Sequence, residues 1–172
     1  MNRAARIALF SVVVLLAGVA GYMLSAPKQF EKADVSPILE ATMPDLSGKP
    51  TQIAVWRGKV LVINFWATWC PPCLEEIPHF VRMQSQMGEQ GLQFIGIAID
   101  ERDKVLAFAK RHAINYPIVI GQLDAIELSR RAGNAQGGLP YTLILNRSGE
   151  VVSQYYGGVT EELLKPIIAE LL

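Results

Sequence analysis

The stretch Val60–Trp66 reads VLVINFW and runs through Ala67 and Thr68 into Trp69-Cys70-Pro71-Pro72-Cys73, which holds the only two cysteines of the 172-residue chain. A nearly continuous apolar run of this kind fits a strand buried on both faces of a sheet. From Cys70 to about Met87 the spacing turns helical, with Leu74, Ile77, Phe80, Val81 and Gln84 on one face. The strand therefore delivers both cysteines onto the first turn of a helix. Two cysteines three apart exclude a framework of structural disulfides, and a zinc ribbon would need a second pair. His79 and His112 are isolated, and two cysteines with one histidine do not complete a tetrahedral metal site. What remains is a dithiol that can open and close, with no metal and no cofactor.

Around this junction the pattern alternates. Asp45–Pro50 is a turn cluster, followed by a short strand over Gln52–Val55. Leu92–Ile99 reads as a second buried strand, Asp103–His112 as a helix, Pro117–Ile120 as a short strand and Asp124–Arg131 as a helix. Tyr141–Leu145 and Val151–Tyr156, joined by Asn146-Arg147-Ser148-Gly149, form a hairpin. Thr160 opens a final amphipathic helix whose first turn carries Glu161 and Glu162. Strands alternating with helices and closed by a hairpin predict an α/β domain with one central mixed sheet flanked by helices.

The hydrophobic fraction of 51% and mean hydropathy of +0.25 are high for such a domain, and the excess lies at the N-terminus. Ile7–Leu24 carries no charge, is just long enough to cross a bilayer, and follows Arg3 and Arg6. The positive-inside rule then sends everything after Leu24 outward. Residues 1–24 are read as a membrane anchor, 25–35 as a polar tether and 36–172 as the folded domain. A cleaved signal peptide is the alternative for 1–24, although Leu24 and Pro27 suit cleavage after Ala26 poorly. Either way the domain is exported, where disulfides persist. The formal net charge of +0 carries no basic stripe interleaved with aromatics, so nucleic acid is not a partner.

The free N–H groups and positive end of the helix favour a thiolate. Cys70, at the entrance, is expected to be exposed and to attack; Cys73, one turn in, is expected to be shielded and to resolve. Pro71 and Pro72 stiffen the turn at positions where a missing donor costs little. Trp69 is expected to cap the surface beside Cys70, and Trp66 to lie in the core.

Asn64–Cys73 (NFWATWCPPC), Pro78 and Gly138–Ile144 (GLPYTLI) together resemble the thioredoxin superfamily, in its TlpA/ResA-like branch of membrane-anchored thiol–disulfide oxidoreductases. The match runs from about Met43 to the C-terminus. The resemblance implies a cis Pro140 facing the cysteines, with the backbone of Leu139 binding the substrate strand. It implies an extra helix and strand within Ile99–Ile120. It also implies a carboxylate from that insertion near Cys73, with Glu101 as candidate and Asp100 as the register alternative. Where thioredoxin has a buried aspartate this chain has Asn64, which cannot serve as a base.

The implied function is reduction of protein disulfides by a protein tethered to the bacterial inner membrane, its domain in the periplasm or otherwise outside the cytoplasm. A membrane electron donor of the thiol-reductase type would recharge it, and apocytochrome c is a possible client through cytochrome c maturation. Two alternatives stay open at this stage: a disulfide oxidase or isomerase of the same fold, and a binding module with an inert cysteine pair.

Overall fold

The structure is a computed structural model, and it describes residues 34–172. The anchor and most of the tether lie outside the described residues; among those described, no helix is long and apolar enough to cross a membrane. The elements in chain order are α1 (Ser36–Glu40), β1 (Thr42–Pro44), β2 (Pro50–Gln52), a 3₁₀ turn (Ile53–Trp56), β3 (Val60–Trp66), α2 (Pro71–Met87), β4 (Leu92–Ala98), α3 (Arg102–Arg111), β5 (Ile118–Ile120), α4 (Asp124–Arg131), β6 (Tyr141–Leu145), β7 (Val151–Tyr156) and α5 (Glu161–Leu171).

Five strands form one mixed sheet in the order β5-β4-β3-β6-β7. β3 runs parallel to β4 and antiparallel to β6, so the strand that carries the cysteines is central. All seven residues of β3 are buried, as are all seven of β4. Their side chains divide by parity, as the two-residue period of a strand requires. Val60, Val62 and Trp66 pack with Ile77, Phe80 and Met83 of α2 and with Leu164 and Ile168 of α5. Leu61, Ile63 and Phe65 pack on the opposite face with Ile38, Ile53 and Ala125. Gly96 of β4 makes room for Trp66: a Cβ there would lie 2.8 Å from the indole Nε1.

The structure departs from the sequence reading near the N-terminus of the domain. Gln52–Val55 is not a strand. Pro50–Gln52 pairs with Thr42–Pro44 in a separate hairpin, and Ile53–Trp56 turns into a 3₁₀ segment that drives Ile53 into the core and leaves Val55 67% exposed. Val35, read as tether, is 6% exposed, and its carbonyl accepts from the N–H groups of Ile38 and Leu39 at 3.0 Å each.

The folded unit therefore starts before Ser36. A chain begun at Asp34 is expected to unfold cooperatively in denaturant. One begun at Ser36 should lose about 1–2 kcal/mol, the worth of burying a valine side chain. Equal midpoints for the two chains would contradict this boundary.

Candidate active site

β3 ends at Trp66, and the chain turns through Ala67, Thr68 and Trp69 before α2 begins at Pro71. Cys70 is the N-cap of α2, with extended backbone angles. Asp100, just beyond β4, fastens this turn. One carboxylate oxygen accepts from both the N–H (3.2 Å) and the hydroxyl of Thr68, and the other accepts from the N–H of Glu101 at 2.7 Å. These donors hold the Asp100 carboxyl below its ordinary range, against the opposing effect of burial.

Cys70 and Cys73 are joined as a disulfide, with their Cα atoms 5.3 Å apart. Cys70 is 4% exposed and Cys73 is fully buried. The expectation of an exposed Cys70 needs correction in degree: the turn packs over it, and only a sliver of the residue meets solvent. Trp69 beside it is 65% exposed, and Trp66 is buried, as the sequence implied. At an N-cap, a side chain accepts from the N–H groups of the second or third helical residue. Here the second is Pro72, so the third, Cys73, supplies the donor available to a Cys70 thiolate. Pro71 and Pro72 thus direct a helix end with few free donors toward one sulfur.

The insertion carboxylate is not where the resemblance implied. Glu101 is turned to solvent at the start of α3, its side chain 74% exposed and paired with Lys104 at 2.8 Å. Asp100 is occupied by Thr68. The buried carboxylate is Glu76, on the helix that carries the cysteines and one turn after Cys73. Residues three apart on a helix are neighbours, with Cβ atoms about 5–6 Å apart.

Glu76 is 1% exposed. Its Oε1 accepts from Asn64 Nδ2 at 2.7 Å and its Oε2 from the N–H of Val159 at 3.1 Å. Asn64 also donates to Thr142 Oγ1 at 3.0 Å, its partner across the β3–β6 ladder. Burial outweighs the two hydrogen bonds and pushes the Glu76 carboxyl up to about 8. Tyr116, buried nearby, is pushed above the usual phenol range by burial and by the charge of Glu76. Sequence reasoning missed Glu76, although a signal existed. Asn64 and Thr142 interrupt two otherwise apolar strands, and buried polar groups require partners.

The Leu139–Pro140 peptide is cis. Pro140 is buried, and its carbonyl accepts from the N–H of Gly157 at 3.0 Å. Leu139 is half-buried and packs against the cluster that contains both cysteines. Among the described residues, its own N–H and C=O enter no loop or turn hydrogen bond. Across from it, a Cβ on Gly158 would lie 3.6 Å from the carbonyl oxygen of Pro72, so the β7–α5 loop closes over the head of α2. Among the described residues, no group of three or more His, Cys, Asp and Glu side chains is placed to hold a metal ion.

A central strand thus leads into a disulfide at a helix head, and Leu139 of the cis-proline loop packs against the hydrophobic cluster that includes both cysteines. The Redoxin family model matches residues 32–172. The chain belongs to the Redoxin family. The chain is also similar to several proteins named Thiol-disulfide oxidoreductase ResA. The one from Halalkalibacterium halodurans is 32% identical over 128 residues, covering 72% of this chain and 68% of its own. The one from Geobacillus thermodenitrificans is 30% identical over 170 residues, covering 96% and 95%. The crystal structure of a thioredoxin-family thiol:disulfide interchange protein from Chlorobium tepidum TLS superposes with a TM-score of 0.69 at 29% identity, covering 76% of this chain and 92% of that one. This Redoxin is accordingly a TlpA/ResA-like member of the thioredoxin superfamily and a thiol–disulfide oxidoreductase.

Proposed function

We propose that the protein is a reductase of protein disulfides that works outside the cytoplasm, tethered by its N-terminal apolar segment to the bacterial inner membrane. The observation that carries this reading is a fully buried Cys73 one helical turn before a buried carboxyl, Glu76, pushed up to about 8, and the direction of electron flow follows the ResA resemblance. In the reduced protein, the Cys70 thiolate attacks one sulfur of the client disulfide. A Cys70–client bond forms, and one client thiolate leaves. Cys73 then gives its proton to the ionised fraction of Glu76, which grows as pH rises toward about 8, and the Cys73 thiolate attacks the Cys70 sulfur. The second client thiolate leaves, and the Cys70–Cys73 disulfide remains. Two electrons have passed from protein to client. Burial holds the Glu76 carboxyl near the working pH, which suits a group that must take up and return a proton in each cycle.

The client enters as an extended segment against Leu139, whose backbone groups offer strand-like hydrogen bonds beside the sulfurs. Such a contact selects a backbone more than a sequence. Recharging requires a dithiol donor from the membrane, and apocytochrome cysteines awaiting haem attachment are a client class that fits the ResA resemblance.

The test is a thiol balance. Fully reduced protein mixed with a peptide disulfide is expected to release two client thiols for each Cys70–Cys73 disulfide formed, counted by mass after alkylation. If the protein instead stays reduced while client disulfides persist, the reductase reading fails.

A further inference from the structure

A cleft of about 370 Å³ is lined by Trp69, the residue before Cys70, with Ile99, Leu123 and Ile126 and with the acidic Asp100 and Glu101. Trp69 is 65% exposed and Leu123 76%. One such side chain alone would need no explanation, but two facing one cleft next to a reacting sulfur form a contact surface. Leu123 is held outward at the head of α4 by Gln122, a non-glycine residue in the left-handed region at φ 48°. Backbone of this kind is uncommon and gathers at ligand sites.

The lining is of two chemical kinds. Trp69, Ile99, Leu123 and Ile126 are apolar. Asp100 contributes a carboxylate that Thr68 and the Glu101 N–H keep ionised at neutral pH, and Glu101 lines the same cleft. No lysine or arginine is among the residues lining the cleft. Lys104 pairs with Glu101 and its charge also acts on Asp100, but both members of the Lys104–Glu101 pair are well exposed, so a second cation can share or replace Lys104 at little cost. An acidic client side chain would be repelled. A purely aliphatic one would cover the carboxylates without answering their charge. A long cationic side chain answers both kinds of lining, because its methylene stem buries against apolar side chains while its head stays polar.

We propose that this cleft is a client-recognition subsite for a lysine or arginine side chain flanking the client's reacting cysteine. The stem lies along Leu123 and Ile126, and the cationic head sits between the Trp69 ring and the Asp100 and Glu101 carboxylates. Trp69 precedes Cys70 directly, so an occupant of the cleft belongs to a residue close to the attacked disulfide. The proposal rests on the reading that the clients are polypeptides, and it adds a preference that backbone pairing at Leu139 cannot supply.

The test uses the oxidised full chain and three peptides that differ at one position next to an S-methylated cysteine, which cannot exchange. That position is arginine, norleucine or glutamate, and binding is measured by calorimetry. Arginine is expected to bind roughly fivefold tighter than norleucine, the worth of one exposed cation–π and carboxylate contact, and glutamate weakest. Glu101→Gln should shrink the advantage of arginine over norleucine, as should high salt, whereas Leu123→Ser should weaken both. Equal binding of the three peptides, a preference for norleucine over arginine, or a preference indifferent to both substitutions would each overturn the subsite. Binding is read without any disulfide chemistry. The arginine order found in a protein that fails the thiol balance would therefore sustain the subsite and sink the reductase reading.

Discussion

Cys73→Ala is expected to accumulate a covalent complex between Cys70 and client proteins, whereas Cys70→Ala should accumulate almost none. The asymmetry follows from position. Cys70 is the N-cap of the helix and retains the residual access, at the position where a thiolate would accept from the N–H of Cys73. Cys73 is one turn deeper and fully buried, out of reach of a folded client. Once Cys70 has attacked, only the Cys73 thiolate is placed to break the mixed disulfide. Non-reducing gels and mass spectrometry of the two variants after exposure to client should differ by about tenfold or more in captured material. Comparable capture by both variants would mean that either sulfur can attack, and the division of roles would be wrong.

Glu76→Gln is expected to separate stability from catalysis in opposite directions. Folded Glu76 keeps its proton up to about pH 8, whereas the unfolded carboxyl loses it near 4.5. Between those values folding takes up a proton. The stability tied to this group is thus fully present below about pH 4.5 and lost as pH rises through about 8. The loss amounts to roughly 4–5 kcal/mol for a shift of this size.

A glutamine is neutral throughout, so the difference between wild type and variant should move toward the variant as pH is raised. At pH 7 and above, the variant should be the more stable protein by chemical denaturation. Resolution of the mixed disulfide should nevertheless slow by about a hundredfold, the usual worth of a positioned base. A more stable but slower protein cannot be explained by damaged folding. If the variant lost stability and its rate remained unchanged, Glu76 would be a packing residue only.

The sequence made the sheet legible because its period was unambiguous. VLVINFW and LQFIGIA are apolar at both parities, and both became central strands buried on both faces. The three-residue strands β1 and β2 and the five-residue α1 lie below the length at which periodicity can speak. Gln52–Val55 misled for the same reason, since one turn of 3₁₀ helix and a short strand share a composition.

At the site, the cysteines and their prolines were legible from motif and spacing, and the cis Leu139–Pro140 loop only through the resemblance to the thioredoxin superfamily. Glu76 was not, because a glutamate in CPPCLEEIP reads as a solvated charge unless the face it occupies is known. That face is fixed by tertiary packing. Asn64 falls on the α2 side of β3 by parity with Val60, Val62 and Trp66, and its amide needs the partner that Glu76 provides. Glu101 failed for the complementary reason: nothing in the sequence distinguished a carboxylate turned inward after β4 from one capping the start of α3.

The most direct test of the central claim is the reduction potential of the Cys70–Cys73 pair in the full chain, taken by equilibration against glutathione or dithiothreitol mixtures. A reductase of protein disulfides should sit toward the thioredoxin end of the scale, about −270 mV. A value near the strong oxidant end, about −120 mV, would reverse the direction of electron flow and contradict the account.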